Sequence, residues 1–183
     1  MRDGDLRAEE CTRVTDPQRY GVLHAAAESL LEELTEYYTV ERRETKEPLT
    51  PGSDELLVRT VRLIPRTPAA APLSVAFTDF PSVILRLGRW YQQSLPSCGC
   101  DACDEEPAAL VAELRVQAAA LVEGGLWEHV RRRLTTSWLE ARLIGPDFQA
   151  SQQAPLDAGA ARAARREGFA AAVQWAPWPR RAR

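Results

Sequence analysis

The sequence predicts an α+β fold in which an antiparallel sheet of about four to six strands packs with two main helices. Three observations carry that prediction. Apolar residues recur at helical spacing over Tyr20, Leu23, Ala27, Leu30, Leu31, Leu34 and Tyr38, and again over Leu110, Val111, Leu114, Ala118, Leu121 and Val122. Between these stretches lie short runs that alternate or are β-branched. The loops joining those runs are too short for the crossovers that parallel pairing needs, so the strands should form an antiparallel meander.

Taken in order, residues 1–14 are polar and aperiodic, with Cys11 the lone cysteine among them, and read as a flexible arm. Thr15 to Gln18 has the form of a capping box, with Pro17 tolerated in the first turn of the long helix that follows. His24 lies beside the apolar face of that helix and reads as a boundary histidine. Residues 39–45 suggest a short exposed strand, closed by a turn-rich stretch over 46–55. Strands are expected over 57–66, 73–78 and 83–87.

Asp104 is placed to cap the second helix, with Pro107 in its first turn and Gly124 and Gly125 ending it. The next piece, LWEHVRRRL, fits either period. The reading favours a strand, because residues 137–144 alternate well enough to pair with it. Residues 146–163 show little periodicity and read as a loop or a loosely attached helix. Trp175 and Trp178 among prolines would leave a large apolar area in water unless the segment folds back in a groove of the domain. The expected organisation is thus an arm over 1–14, one α+β domain over 15–145, and an Ala/Pro-rich extension over 146–183 whose Trp-Pro tail docks on the domain.

At 183 residues the chain is long enough for one domain with a real core and short for two. A formal charge of −3 gives no general reason to expect nucleic acid or an anionic membrane as partner; the sequence names no partner and leaves a protein partner open. The N-terminal MRDGDLRAEE is charged throughout, unlike a secretory signal, and no stretch approaches a membrane span. The expected location is therefore cytoplasmic, where thiols stay reduced.

Three of the four cysteines, Cys98, Cys100 and Cys103, fall within six positions as C-x-C-x2-C. Three thiolates at this spacing can converge on a zinc ion if Gly99 permits a tight bend. A fourth ligand would have to come from Asp101, Asp104, His129, His24, Cys11 or a symmetry mate, and the sequence does not say which. Cys100 and Cys103 also match a C-x-x-C dithiol ahead of a helix N-terminus. Against that, Asp101, Asp104, Glu105 and Glu106 place negative charge beside the thiols and disfavour thiolate. Packing cysteines with no further role are the third alternative. No catalytic residue is assigned.

GRW at residues 88–90, PSCGCDACDE at 96–105 and WAPWPRR at 175–181 together resemble an uncharacterised actinobacterial family, domain of unknown function 6226. The likeness runs from the first helix over most of the chain, and the cysteine decapeptide is its specific part. The resemblance implies that the cysteine segment and the tryptophan tail are family features; it carries no activity, substrate or ligand set. The function expected is a small binding or interaction domain with a cysteine-rich, zinc-binding loop, the alternative being a thiol-dependent oxidoreductase or metal-dependent enzyme using the same loop.

Overall fold

In a computed structural model of the chain, residues 13–49, 57–133 and 135–182 are described, so most of the expected N-terminal arm, including Cys11, and most of the turn over 46–55 lie outside the described residues. Helix α1 (Val22–Tyr37) follows directly on a 3-10 turn at Pro17–Gly21 and buries Leu23, Ala27, Leu30, Leu31 and Leu34, the stripe its periodicity requires. The capping box does not form. The Thr15 amide and hydroxyl both donate to Asp101 Oδ1, at 3.0 and 3.2 Å, and no side chain caps the turn or the helix. A carboxylate 86 positions away has taken the hydroxyl that the sequence offered to a local cap.

Strands β1 (Val40–Pro48), β2 (Leu57–Pro65), β3 (Leu73–Phe77), β4 (Val83–Leu87) and β5 (Tyr91–Leu95) form the expected antiparallel meander in sequence order. Val61, Val75 and Leu85 stand opposite one another across β2, β3 and β4, all fully buried, so the register puts one apolar face against the helices. β1 runs three residues further than its composition suggests, because Pro48 still pairs with Leu57. Its exposed Glu41, Arg43, Thr45 and Lys46 keep this edge charged, which discourages pairing with another chain. β5 was not expected: YQQSL buries only its ends, Tyr91 and Leu95.

Helix α2 (Pro107–Val122) is capped by Glu106, whose carboxylate accepts from Ala108 N, and not by Asp104, which sits at φ +43 outside the helix and pairs with Arg19 at 2.7 Å. It ends at the glycines as expected. Gly124 adopts φ +82, and the amides of Gly124 and Gly125 return to the carbonyls of Leu121 and Ala120.

A second antiparallel sheet follows, in the order β8-β7-β6-β9, built from β6 (Leu126–Arg133), β7 (Thr136–Ile144), β8 (Gln149–Leu156) and β9 (Val173–Gln174). The ambiguous LWEHVRRR is therefore strand. Where a loop or loose helix was expected, β8 pairs with β7 from Ile144↔Gln149 to Ser137↔Leu156. Its polar sequence suits an outer strand, where Pro155 costs no internal ladder bond. Helix α3 (Ala158–Ala164) comes next, capped by Asp157, which accepts from the amides of Gly159 and Ala160.

The class is α+β, with its strands divided between two sheets of five and four. One core joins both long helices to both sheets and includes Trp178; a smaller cluster of Val130, Ala161, Ala164 and Phe169 lies under α3. No helix among the described residues is long and apolar enough to cross a membrane.

Residues 175–181 run along the domain surface and into it. Trp178 is 3 % exposed; its indole N–H donates to Ala71 O and its amide to Val122 O, each at 2.8 Å, and its ring meets Tyr38 edge-on at 5.7 Å. Pro179 O accepts from Thr39 N and Arg181 N donates to Tyr37 O, also at 2.8 Å.

Candidate metal centre

The turn between β5 and α2 folds tightly enough to gather its three thiols. The amides of Cys103 and Asp104 both donate to Cys100 O at 3.2 Å, closing a single turn between the second and third cysteines. Gly99 sits at φ +75, and a Cβ there would lie 2.8 Å from the Phe80 ring, so only glycine lets the chain bend against that ring. The Glu105 carboxylate reaches back into the loop and accepts from the amides of Ser97, Cys98 and Gly99 at 3.1, 3.0 and 3.3 Å and from the Ser97 hydroxyl at 2.9 Å. Burial raises the Glu105 carboxyl, but these donors outweigh it and hold the group below the usual carboxylate range.

All three sulfurs lie within 4.8 Å of one another, and Cys98 Sγ and Cys100 Sγ are 3.2 Å apart. A tetrahedral zinc ion with bonds of about 2.3 Å separates its sulfurs by about 3.8 Å, a value inside that range. The cluster can therefore hold a metal ion. Cys98 and Cys103 are exposed and Cys100 is buried, and none of the three is in a disulfide.

The electrostatics differ from the sequence expectation. The four acidic residues are not turned on the thiols: Asp101 is held by Thr15 and Arg13, Asp104 by Arg19, Glu105 by the loop amides and Glu106 by Ala108 N. The thiols act on each other instead. The Cys98 thiol donates to the Cys100 sulfur, and this bond, followed by the Cys103 amide, lowers Cys100 to about 7. Cys103 is pushed up to about 12, first by its bond to Cys100 and then by its bond to Cys98.

Two of the expected fourth ligands are elsewhere. His24 Nε2 meets Ser82 O at 3.0 Å with its ring against Phe77, and His129 Nε2 meets Ala170 O at 3.2 Å on the second sheet. Among the described residues no other His, Cys, Asp or Glu joins the three sulfurs. Cys11 lies outside the described residues.

A family model, described as a family of unknown function (DUF6226), matches residues 1–182. The chain belongs to DUF6226. No curated protein and no solved structure matches it. Of the motifs that carried the resemblance to DUF6226, the cysteine decapeptide builds the cluster, while the other two meet at a residue the sequence reading passed over. Glu128, in the middle of β6, is fully buried and accepts from the amides of Arg89 and Trp90 in the GRW turn and from the indole N–H of Trp175, the last two at 2.7 Å. Gly88 precedes that turn at φ +64, where a Cβ would stand 2.8 Å from Glu128 Oε2. Burial raises the Glu128 carboxyl above its ordinary value, with the Trp90, Trp175 and Arg89 bonds pulling the other way. Arg89 itself pairs with Glu167 and stacks on Trp90 and Phe169. The signal was present in the sequence: once LWEHV is a strand, Glu128 shares a face with Leu126 and Val130.

Because Glu105 serves three loop amides at once, Glu105→Ala is expected to cost about 1 to 3 kcal/mol and to expose the buried Cys100. A lower melting temperature together with faster alkylation of Cys100, read by mass spectrometry, is the expected result. Unchanged alkylation would mean the loop holds its shape without this carboxylate.

Proposed function

We propose that the chain is a binding or interaction domain whose loop between β5 and α2 is fixed by a structural zinc ion on Cys98, Cys100 and Cys103. The convergence of three sulfurs within 4.8 Å carries this reading. Soft thiolates select zinc over the hard cations, and zinc bound there would lock the turn that Gly99 and Glu105 already bend. The ion would replace the core that this short loop lacks, since Pro96 and Cys100 are the side chains it buries while Cys98 and Cys103 are exposed.

The order of the thiols weighs against the rival reading as a thiol oxidoreductase. Such an enzyme needs a lowered pKa on an accessible cysteine. Here Cys100, lowered to about 7, is 1 % exposed, whereas the exposed Cys103 is pushed up to about 12. A reducing compartment suits the zinc reading, because it keeps the thiols available as ligands.

Metal analysis of tag-free protein tests this directly. About one equivalent of zinc per chain is expected, with chelation lowering the melting temperature. Less than about 0.2 equivalents in well-folded protein would remove the site.

A further inference from the structure

Where β6, β7 and β8 end beneath α3, the register sets Arg132, Ser137 and Leu156 in one row, since Ser137 pairs with Arg132 on one flank and Leu156 on the other. Residues paired in this way share a face of the sheet. Arg162, in the last turn of α3, and Arg165, just after it, stand one helical turn apart on the neighbouring wall. Together these side chains line an open cavity of about 480 Å³. Its apolar side is Leu156 and Ala161, which meet in the small cluster under α3.

The charge in this cavity is unbalanced. Arg131 and Arg142 on the same sheet share the Glu140 carboxylate, whereas among the described residues no Asp or Glu lines the cavity. Arg165 donates to the neutral Ser137 hydroxyl at 2.7 Å, and Arg162 has no hydrogen-bond or ion-pair partner among the described residues. Two like charges one turn apart repel each other, so an anion between them would relieve the repulsion. Ser137 Oγ accepts from Arg165 and so keeps its own proton for another acceptor.

The donors also select among anions. Two guanidiniums, with about five N–H groups each, and the hydroxyls of Thr136 and Ser137 exceed what the roughly four lone-pair sites of a carboxylate accept. A phosphate monoester, with three terminal oxygens and a charge of about −1.5 to −2 near neutral pH, matches them in number and in charge.

We propose that this cavity binds a small organic phosphate, its phosphoryl group held by Arg162, Arg165 and the Ser137 hydroxyl and its carbon body resting on Leu156 and Ala161. The cavity falls within the range of about 300 to 1,000 Å³ usual for small-molecule sites. A chain with a formal charge of −3 repels a long polyanion, which favours a compact ligand over a nucleic-acid backbone. The site shares no residue with the cysteine loop, so it stands or falls independently of the zinc reading.

The test titrates the full chain with phenyl phosphate, and separately with inorganic phosphate and with phenol, in about 0.15 M salt to screen diffuse attraction. Calorimetry should show saturable binding of phenyl phosphate, weaker binding of inorganic phosphate and none of phenol, with shifts of the Ser137, Ala161 and Arg165 amide resonances. Arg162→Gln should weaken phenyl phosphate about tenfold or more at an unchanged melting temperature, because this exposed side chain supports nothing else among the described residues. Ser137→Ala should weaken it by a few-fold. Arg166→Gln removes the same charge at a position that does not line the cavity and should bind as wild type does. An equal loss in Arg166→Gln and Arg162→Gln, or no saturation by phenyl phosphate at about 10 mM, would overturn the proposal. So would a short single-stranded RNA that displaces phenyl phosphate and binds more tightly, since the arginines would then serve a nucleic-acid backbone.

Discussion

Truncation after Gln174 is expected to destabilise the protein by about 3 to 5 kcal/mol, lowering the melting temperature by roughly 10 °C for a chain of this size. The estimate starts from Trp178: burying one large ring contributes about 2 to 3 kcal/mol from apolar area, and its removal leaves a cavity in the core that adds to the loss. The tail also satisfies backbone groups that would otherwise be left at the ends of other elements. Its amides and carbonyls bond Val122 O at the end of α2, Leu126 O at the start of β6, Ala69 O in the loop before β3, Tyr37 O at the end of α1 and Thr39 N just after it. Against these gains stands the entropy of ordering about seven residues, reduced by Pro177 and Pro179, which restrict the free tail before it docks. Thermal melting of the truncated chain and of Trp178→Ala reads the effect. A truncated protein that melts with the intact one, or free quenching of the Trp178 fluorescence by acrylamide, would place the tail outside the folding unit.

Glu128→Ala is expected to be comparably damaging, at about 3 to 5 kcal/mol, because it leaves part-buried donors from two separate segments without their acceptor and opens a cavity where a fully buried side chain stood. Glu128→Gln should fall between it and wild type, since the amide keeps one accepting oxygen but turns an NH2 group toward donors. The pH dependence separates the charge from the shape. The folded pKa of Glu128 is raised above its unfolded value, so the folded state binds this proton more tightly. The stability linked to it is fully present below the unfolded value and is lost as pH rises through the folded value. Glu128→Gln, which cannot ionise, should lack that component. Urea unfolding of both proteins across the acid range checks it; parallel stability profiles would show that Glu128 does not change protonation on folding.

Much of the fold could be read from the sequence because it depends on local period. The stripe of α1 and the alternation of β4 bury the residues their spacing marks, and α2 stops at its glycines; in β2 the marked Val61 and Leu63 are buried, whereas Leu57 at the strand's start is exposed. The elements that were missed are held by partners. β8 is polar and gains its structure from the ladder with β7, and β5 buries only its two ends, so neither has a pattern of its own. The capping errors share one cause: Thr15 and Asp104 would have served as local caps, but Asp101 and Arg19 offered tertiary bonds instead. In the candidate site, the cysteine spacing foretold which sulfurs meet, whereas the role of Glu105 was hidden because a carboxylate next to cysteines reads first as charge and only in three dimensions as an acceptor for backbone amides.

The docking of Trp178 also bears on the order in which the protein can be completed during synthesis. Every segment that this ring or its neighbours bind, from Tyr37 through Ala71 to Val122, is made before it. A growing chain can therefore form both long helices and the first sheet while the slot between them still faces water, and that slot closes only when residue 178 has left the ribosome. Until then the nascent domain carries an apolar opening of the kind that chaperones bind and that promotes aggregation.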